Sequence, residues 1–317
     1  MSFDNPEAVR EALAGERYLA DPGLSTAVFL AAALEQPLLL EGEAGVGKTE
    51  VAKALSGATG ARLIRLQCHE GIDLHHALYD WDYPRQLLHL RAEGSAAEGA
   101  LYSERFLLRR PLLDALQASE PVVLLIDEID RADDEFEAFL LEVLSTFVVT
   151  IPEYGEVRAA TPPMVVLTSN RTRELHDALK RRCLYHWIDH PQLAREIEII
   201  RTRLPEVSAR LATHVATAVQ RIRSSDDILK PPGVAESLDW ARALQRLGHD
   251  QLDVAAAAET LGAVLRAQES VALFETEERI RALAKARRAG EATAAERLAA
   301  EVAALPADGA RATASAF

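Results

Sequence analysis

"PLLLEGEAGVGKTEVAKALSGATG", Pro37 to Gly60, is the stretch on which the reading of the fold turns. A short apolar run, Leu38 to Leu40, reads as a buried strand that ends at a glycine. Gly42 to Thr49 then matches G-x-x-x-x-G-K-[ST] at every fixed position, and a helical pattern follows that stops at Gly57 or Gly60. The spacing has a physical cause. Glycines let the backbone curl so that several N–H groups face one anion, and the helix N-terminus behind them favours negative charge. Gly42, Glu43, Ala44, Gly45, Val46, Gly47, Lys48 and Thr49 are therefore the candidate phosphate-binding residues. Lys48 is placed to reach β- and γ-phosphates, and Thr49 to offer its hydroxyl to Mg²⁺.

Outward from this loop, the pattern alternates between strand and helix. Pro6 to Ala33 reads as helix, broken near Asp21 to Gly23. "ARLIRLQ" is a second strand, and Arg109 to Ala118 reads as helix. "PVVLLIDE" is an apolar strand tipped by acids, as in a sheet covered on both faces. Asp133 to Thr146 has the spacing of an amphipathic helix, and "FVVTIPEYGEVRAA" that of a hairpin turning near Gly155. "PPMVVLTSN" and "CLYHWI" are further strands. The alternation predicts an α/β P-loop NTPase with a parallel sheet flanked by helices. Past Pro191 only helical spacing remains, with breaks at Pro205, Lys230 to Gly233 and Gly248. The expected division is an α/β domain over 1–190, a smaller all-helical lid domain over 191–290, and a C-terminal helix and flexible tail over 291–317.

A phosphate loop becomes a hydrolase when a second pair of acids serves the metal and the water. Asp127 and Glu128 stand at a strand's C-terminal end, where α/β sheets bind ligands. Asp127 is expected to support Mg²⁺, and Glu128 to polarise the attacking water. Asn170, at the tip of "VVLTSN", is placed to hold that water. Arg181 and Arg182, just before "CLYHWI", are candidates for an arginine that reaches the γ-phosphate bound by a neighbouring subunit. ATP and Mg²⁺ are the implied cofactors.

The formal net charge is -14, so a phosphate backbone is a poor default partner and no nucleic acid is expected. Two cysteines, Cys68 and Cys183, in unrelated contexts, suit a reducing compartment. "MSFDNPEAVR" lacks the regions of a signal peptide, and no apolar run is long enough to span a bilayer; a cytoplasmic protein is the expectation. "RLQCHEGIDLHHALYDWDYPRQLLHLR", Arg65 to Arg91, gathers Cys68, His69, Glu70, His75, His76 and His89 in the manner of a metal site. Its spacing is irregular and adjacent histidines on a helix diverge, so a partner- or pore-facing loop using Tyr79, Trp81 and Tyr83 is the expectation instead, with packing as the alternative for Trp81.

The order "GEAGVGKT", "LLIDEID", "LTSN", "LKRRC" and then a helical segment resembles an AAA+ ATPase. Within that superfamily the chain resembles the MoxR family, most closely its CoxD-like branch, through "LQCHEGIDLHHALYDWDYPRQLLHLR", "REIEIIRTRLP" and "ESLDWARAL". The resemblance covers about Leu24 to Phe274. It implies a hexameric ring with nucleotide at subunit interfaces, and chaperone-like remodelling or activation of a partner protein. It also implies a von Willebrand A domain partner and a molybdenum-copper hydroxylase as client. Lys48, Thr49, Asp127, Glu128 and Asn170 match the family roles, and the interface arginine maps first to Arg182 and second to Arg181. Many members carry a nucleotide-contacting arginine at the start of a lid helix; "PPGVAESLDWARAL" has none before Arg242. The alternatives are a nucleic-acid motor subunit and a P-loop small-molecule kinase.

Overall fold

Apolar β-forming runs that are buried over their full length must lie in the middle of a sheet, and three of them do. In a computed structural model of the chain, the strands β1 (Leu38–Gly42), β2 (Arg62–Gln67), β5 (Val122–Asp127), β8 (Met164–Ser169) and β9 (Leu184–Ile188) form one parallel sheet in the order β2-β5-β8-β1-β9. β5, β8 and β1 are buried at every residue and sit side by side in its interior. The edge strand β2 instead alternates, with Ile64 and Leu66 buried and Arg65 and Gln67 exposed. The structure describes residues 3–93, 101–224, 231–253, 256, 257 and 260. The C-terminal helix and tail expected over 291–317 lie outside them, as does the end of the expected lid.

Helix ends follow their capping residues. Asp21 is not the end of one helix but the N-cap of the next: its Oδ1 accepts the Leu24 N–H at 2.9 Å, and Pro22 opens α2 (Pro22–Leu34) after α1 (Pro6–Gly15). Asp133 does the same for α7 (Asp134–Thr146), accepting from Phe136 at 2.9 Å. α3 (Lys48–Thr59) stops at Gly60, whose φ of 66° is the left-handed conformation that glycine tolerates. β6 (Val148–Ile151) and β7 (Gly155–Arg158) form the expected hairpin.

Two stretches depart from the sequence expectation. Leu107–Arg109 is a strand, β4, and only Pro111–Leu116 is helical, as α6. β4 pairs antiparallel with β3 (Tyr79–Trp81), because Trp81 and Leu107 face each other and both are buried. Trp81 is 6% exposed and packs edge-on to Tyr102 and Tyr79, with ring centroids 5.2 and 6.1 Å apart. It is a core residue rather than part of a protein-facing loop. α4 (Leu74–Ala77) precedes β3 and α5 (Tyr83–Glu93) follows it, and α5 leaves Tyr83, Leu87 and Leu88 exposed.

The described residues pack as two compact units, those of 1–43 with 47–189, and those of 44–46 with 190 onward. The second holds α9 (Leu193–Arg203), α10 (Ala209–Arg223) and α11 (Val234–Arg246) around Leu211, Val215, Val219, Trp240 and Leu244. Its core also encloses Glu196, which is 0% exposed. Arg223 grips both carboxylate oxygens at 2.7 and 2.8 Å, and Ser237 donates at 2.5 Å. Removing one side of such a pair strands a buried charge, so Arg223→Ala is expected to cost about 3–5 kcal/mol, read as an earlier unfolding midpoint in urea. A loss under about 1 kcal/mol would mean that the pair is not closed in solution.

Candidate nucleotide-binding site

β1 delivers the chain into a loop that only glycine-rich sequence can follow. Gly45 and Gly47 have φ of 75° and 99°, and Gly47 caps α3 without a side chain. The first residues of α3 are Lys48 and Thr49. Lys48 is 6% exposed and donates through Nζ to the carbonyl oxygens of Gly42 and Glu43, at 2.8 and 2.6 Å. Burial lowers its pKa, and the negative charges of Asp130, Glu43, Asp127 and Glu128 oppose that shift.

Asp127 ends β5, the neighbour of β8, and its carboxylate is almost wholly buried. Oδ1 accepts from Thr49 Oγ1 at 3.0 Å and from Thr168 Oγ1 at 2.5 Å. Oδ2 accepts from Arg65 Nε and Nη2 at 3.0 and 2.6 Å. Thr49 and Asp127 are thus adjacent hard oxygen donors, the set that suits Mg²⁺ beside a phosphate, so the residues present fit that ion.

Glu128 lies at φ 56° and ψ 50°, a left-handed conformation that a non-glycine residue holds at a cost of about 1–3 kcal/mol. Thr168 stabilises the turn by accepting the Glu128 N–H at 2.9 Å. The Glu128 carboxylate is held by Gln67 Nε2 at 3.1 Å and Arg131 Nε at 2.9 Å.

Asn170 follows β8, one residue beyond the Ser169–Glu41 register pair, so it lies between the tips of β5 and β1. The segment after it is pinned. Asp130, 2% exposed, accepts from Thr172 N–H and Oγ1 at 2.9 and 2.7 Å. Arg173 donates to the fully buried Glu137 and to the Ala132 carbonyl. Arg181 and Arg182 lie elsewhere, between α8 (Asp177–Lys180) and β9, and both are exposed. Arg182 donates to Ser145 Oγ near the end of α7, and the Arg181 amide to the Asp177 carbonyl.

The sheet therefore brings Lys48, Thr49, Asp127 and Glu128 together with Asn170 beside them, and sets the two arginines apart. Sequence reasoning missed Arg65, Gln67, Thr168, Asp130 and Arg131. Arg65 and Gln67 had a signal, two polar residues at i and i+2 on an otherwise apolar strand end. Thr168 had none beyond standing two residues before Asn170.

The histidine-rich stretch takes a different form. The Cys68 thiol is buried in the core, and burial pushes its pKa up to about 12. His76 Nδ1 lies 2.7 Å from Asp73 Oδ1, and the rings of His69 and His76 stand 6.1 Å apart and edge-on. Among the described residues no three His, Cys, Asp or Glu side chains converge as a metal site. After washing with chelator, elemental analysis is expected to find no stoichiometric metal; one zinc, iron or copper per chain would contradict this geometry.

A sheet of this strand order, with the phosphate loop after β1 and an Asp-Glu pair after β5, is a P-loop NTPase fold of the AAA kind, followed by a helical C-terminal region. Residues 37–183 match the family described as AAA domain (dynein-related subfamily). No curated protein matches the chain. Among solved structures, a single-residue variant of RuvB from Thermotoga maritima is similar at 18% identity, with 95% of this chain and 84% of that one covered, at a TM-score of 0.47. The RuvB Holliday junction branch migration motor of the same organism gives 17%, 93%, 80% and 0.43. A provisionally assigned ATPase from Cytophaga hutchinsonii gives 13%, 74%, 78% and 0.40. No helix among the described residues is long and apolar enough to cross a membrane.

Proposed function

We propose that the chain hydrolyses ATP with Mg²⁺ and uses the cycle to remodel a partner protein. The observation that carries the reading is the division of labour at the end of β5. Asp127 is buried and bonded to Thr49, while the next residue, Glu128, is turned away from it into a left-handed conformation by Thr168. On this reading one acid serves the metal side of the phosphate, and the other, half-buried and held by Gln67 and Arg131, would face the water.

The loop amides and Lys48 would hold the phosphates, with Lys48 exchanging its carbonyl partners for phosphoryl oxygens. Thr49 and Asp127 would hold Mg²⁺, which supplies charge neutralisation at the β- and γ-phosphates. Glu128 would take up the proton of the attacking water, and Asn170 would orient that water with its amide. Arg182, or failing it Arg181, would complete the site of a neighbouring copy in a homo-oligomeric ring.

The partner side of the proposal rests on the resemblance to MoxR and CoxD-like proteins. It comprises chaperone-like action, a von Willebrand A domain partner, a molybdenum-copper hydroxylase as client, six subunits per ring and a cytoplasmic setting.

Lys48→Ala tests the phosphate assignment. Losing a charge-assisted contact is expected to weaken ATP binding about 10- to 100-fold, measured by titration calorimetry. Wild-type affinity in Lys48→Ala would remove the loop from the site.

A further inference from the structure

The edge of the sheet beside the two acids carries a cation that the reading above leaves unused. β2 lies directly beside β5, with Gln67 level with Asp127 and Arg65 level with Leu125. Arg65 and Gln67 are two apart on the strand, so their side chains leave the same face. Arg65 reaches diagonally to Asp127 Oδ2 through both Nε and Nη2, at 3.0 and 2.6 Å. Its Nη2 also donates to Gln67 Oε1, and Gln67 Nε2 donates onward to Glu128 Oε2 at 3.1 Å. A continuous polar chain thus runs from one acid to the other through Arg65.

Asp127 splits its acceptors by charge. Oδ1 takes the neutral hydroxyls of Thr49 and Thr168, and Oδ2 takes the guanidinium. A guanidinium carries a full positive charge. A dication brought to the same carboxylate meets that charge at short range, and each cation weakens the hold of the other. Folding alone gives little reason for the pair, because the Arg65 side chain is 51% exposed and such ion pairs are screened by solvent.

We infer that Arg65 is an internal counter-cation of Asp127 that raises the Mg²⁺ concentration needed for tight nucleotide binding. The inference rests on the reading of Asp127 as the acid that supports Mg²⁺. In it Arg65 is a positioning residue that acts through the Asp127 carboxylate.

The experiment measures binding of a methylanthraniloyl-labelled ATP to the full chain across a Mg²⁺ titration. For Arg65→Gln the half-saturating Mg²⁺ concentration is expected to fall about threefold to tenfold, the scale of a half-exposed charge pair. Arg65→Lys, which keeps the charge, should stay within about twofold of the wild type. Binding in excess chelator should be alike in all three. A second measurement needs no variant. Phenylglyoxal labelling of Arg65, read by peptide mass spectrometry, should rise when Mg²⁺ and nucleotide are added together and not with nucleotide plus chelator. An Arg65→Gln protein with the wild-type Mg²⁺ requirement, or labelling indifferent to Mg²⁺, overturns the role of Arg65 while leaving Asp127 in place. Wild-type binding that ignores Mg²⁺ altogether overturns both.

Discussion

With Glu128 replaced by glutamine, ATP is expected to bind with near wild-type affinity and to turn over about 10²–10⁴-fold more slowly. The substitution keeps the volume and the hydrogen bond from Gln67 can be re-formed, but the group that takes the proton from water is gone. Arg131, itself exposed, loses an ionic partner at 2.9 Å, a small matter for folding. The measurement is phosphate release under saturating ATP, beside a binding isotherm on the same preparation. Turnover at the wild-type rate would show that Glu128 is only a structural turn residue, held left-handed by Thr168 for another purpose.

Arg182→Ala is expected to lower turnover by about 10³–10⁵-fold when the arginine acts in trans on a neighbour's γ-phosphate. The residue is exposed, sits before β9 at the edge of the sheet, and is steered by Ser145 on α7. Ser145→Ala therefore separates the two functions of the side chain: it removes the contact within the chain and should leave most of the activity. The trans geometry gives a second readout. Glu128→Gln and Arg182→Ala, each inactive alone, should partly restore activity when mixed, because some interfaces then pair an intact acid with an intact arginine. Rings shown to be mixed that stay inactive, or an Arg182→Ala protein fully active alone, would contradict the assignment; activity that instead falls with Arg181→Ala would move it by one residue.

How much of this was legible in the sequence differs by element. The central strands were plain, because β5 and β8 are buried on both faces and therefore apolar throughout. The phosphate loop was plain because a tight anion cradle admits few residue types, and the positive φ of Gly45 and Gly47 shows the constraint at work. The β3–β4 pair was not, since each strand is only three residues long and their register depends on Trp81 meeting Leu107 across a separation no local pattern encodes. The cluster of Cys68 and the histidines resembles a metal site by residue type alone, and its irregular spacing already argued against one: just past β2 the Cys68 side chain turns into the core, while His69 and the α4 residues His75 and His76 stay at the surface. The partners of Arg65, Gln67 and Thr168 were not legible, although the polar pair at i and i+2 on β2 marked the first two. Each acts on Asp127 or Glu128 from a different strand, and only the parallel register brings them within hydrogen-bond distance.

The most direct test of the whole account is a turnover of ATP by the wild-type chain in water enriched in oxygen-18, with Mg²⁺ and no added acceptor. If Glu128 activates water beside a phosphate held by Lys48 and Mg²⁺, the released inorganic phosphate carries one labelled oxygen from solvent and ADP carries none. ATP that stays intact under these conditions, or a phosphoryl group that appears on another molecule instead of in labelled phosphate, would contradict it.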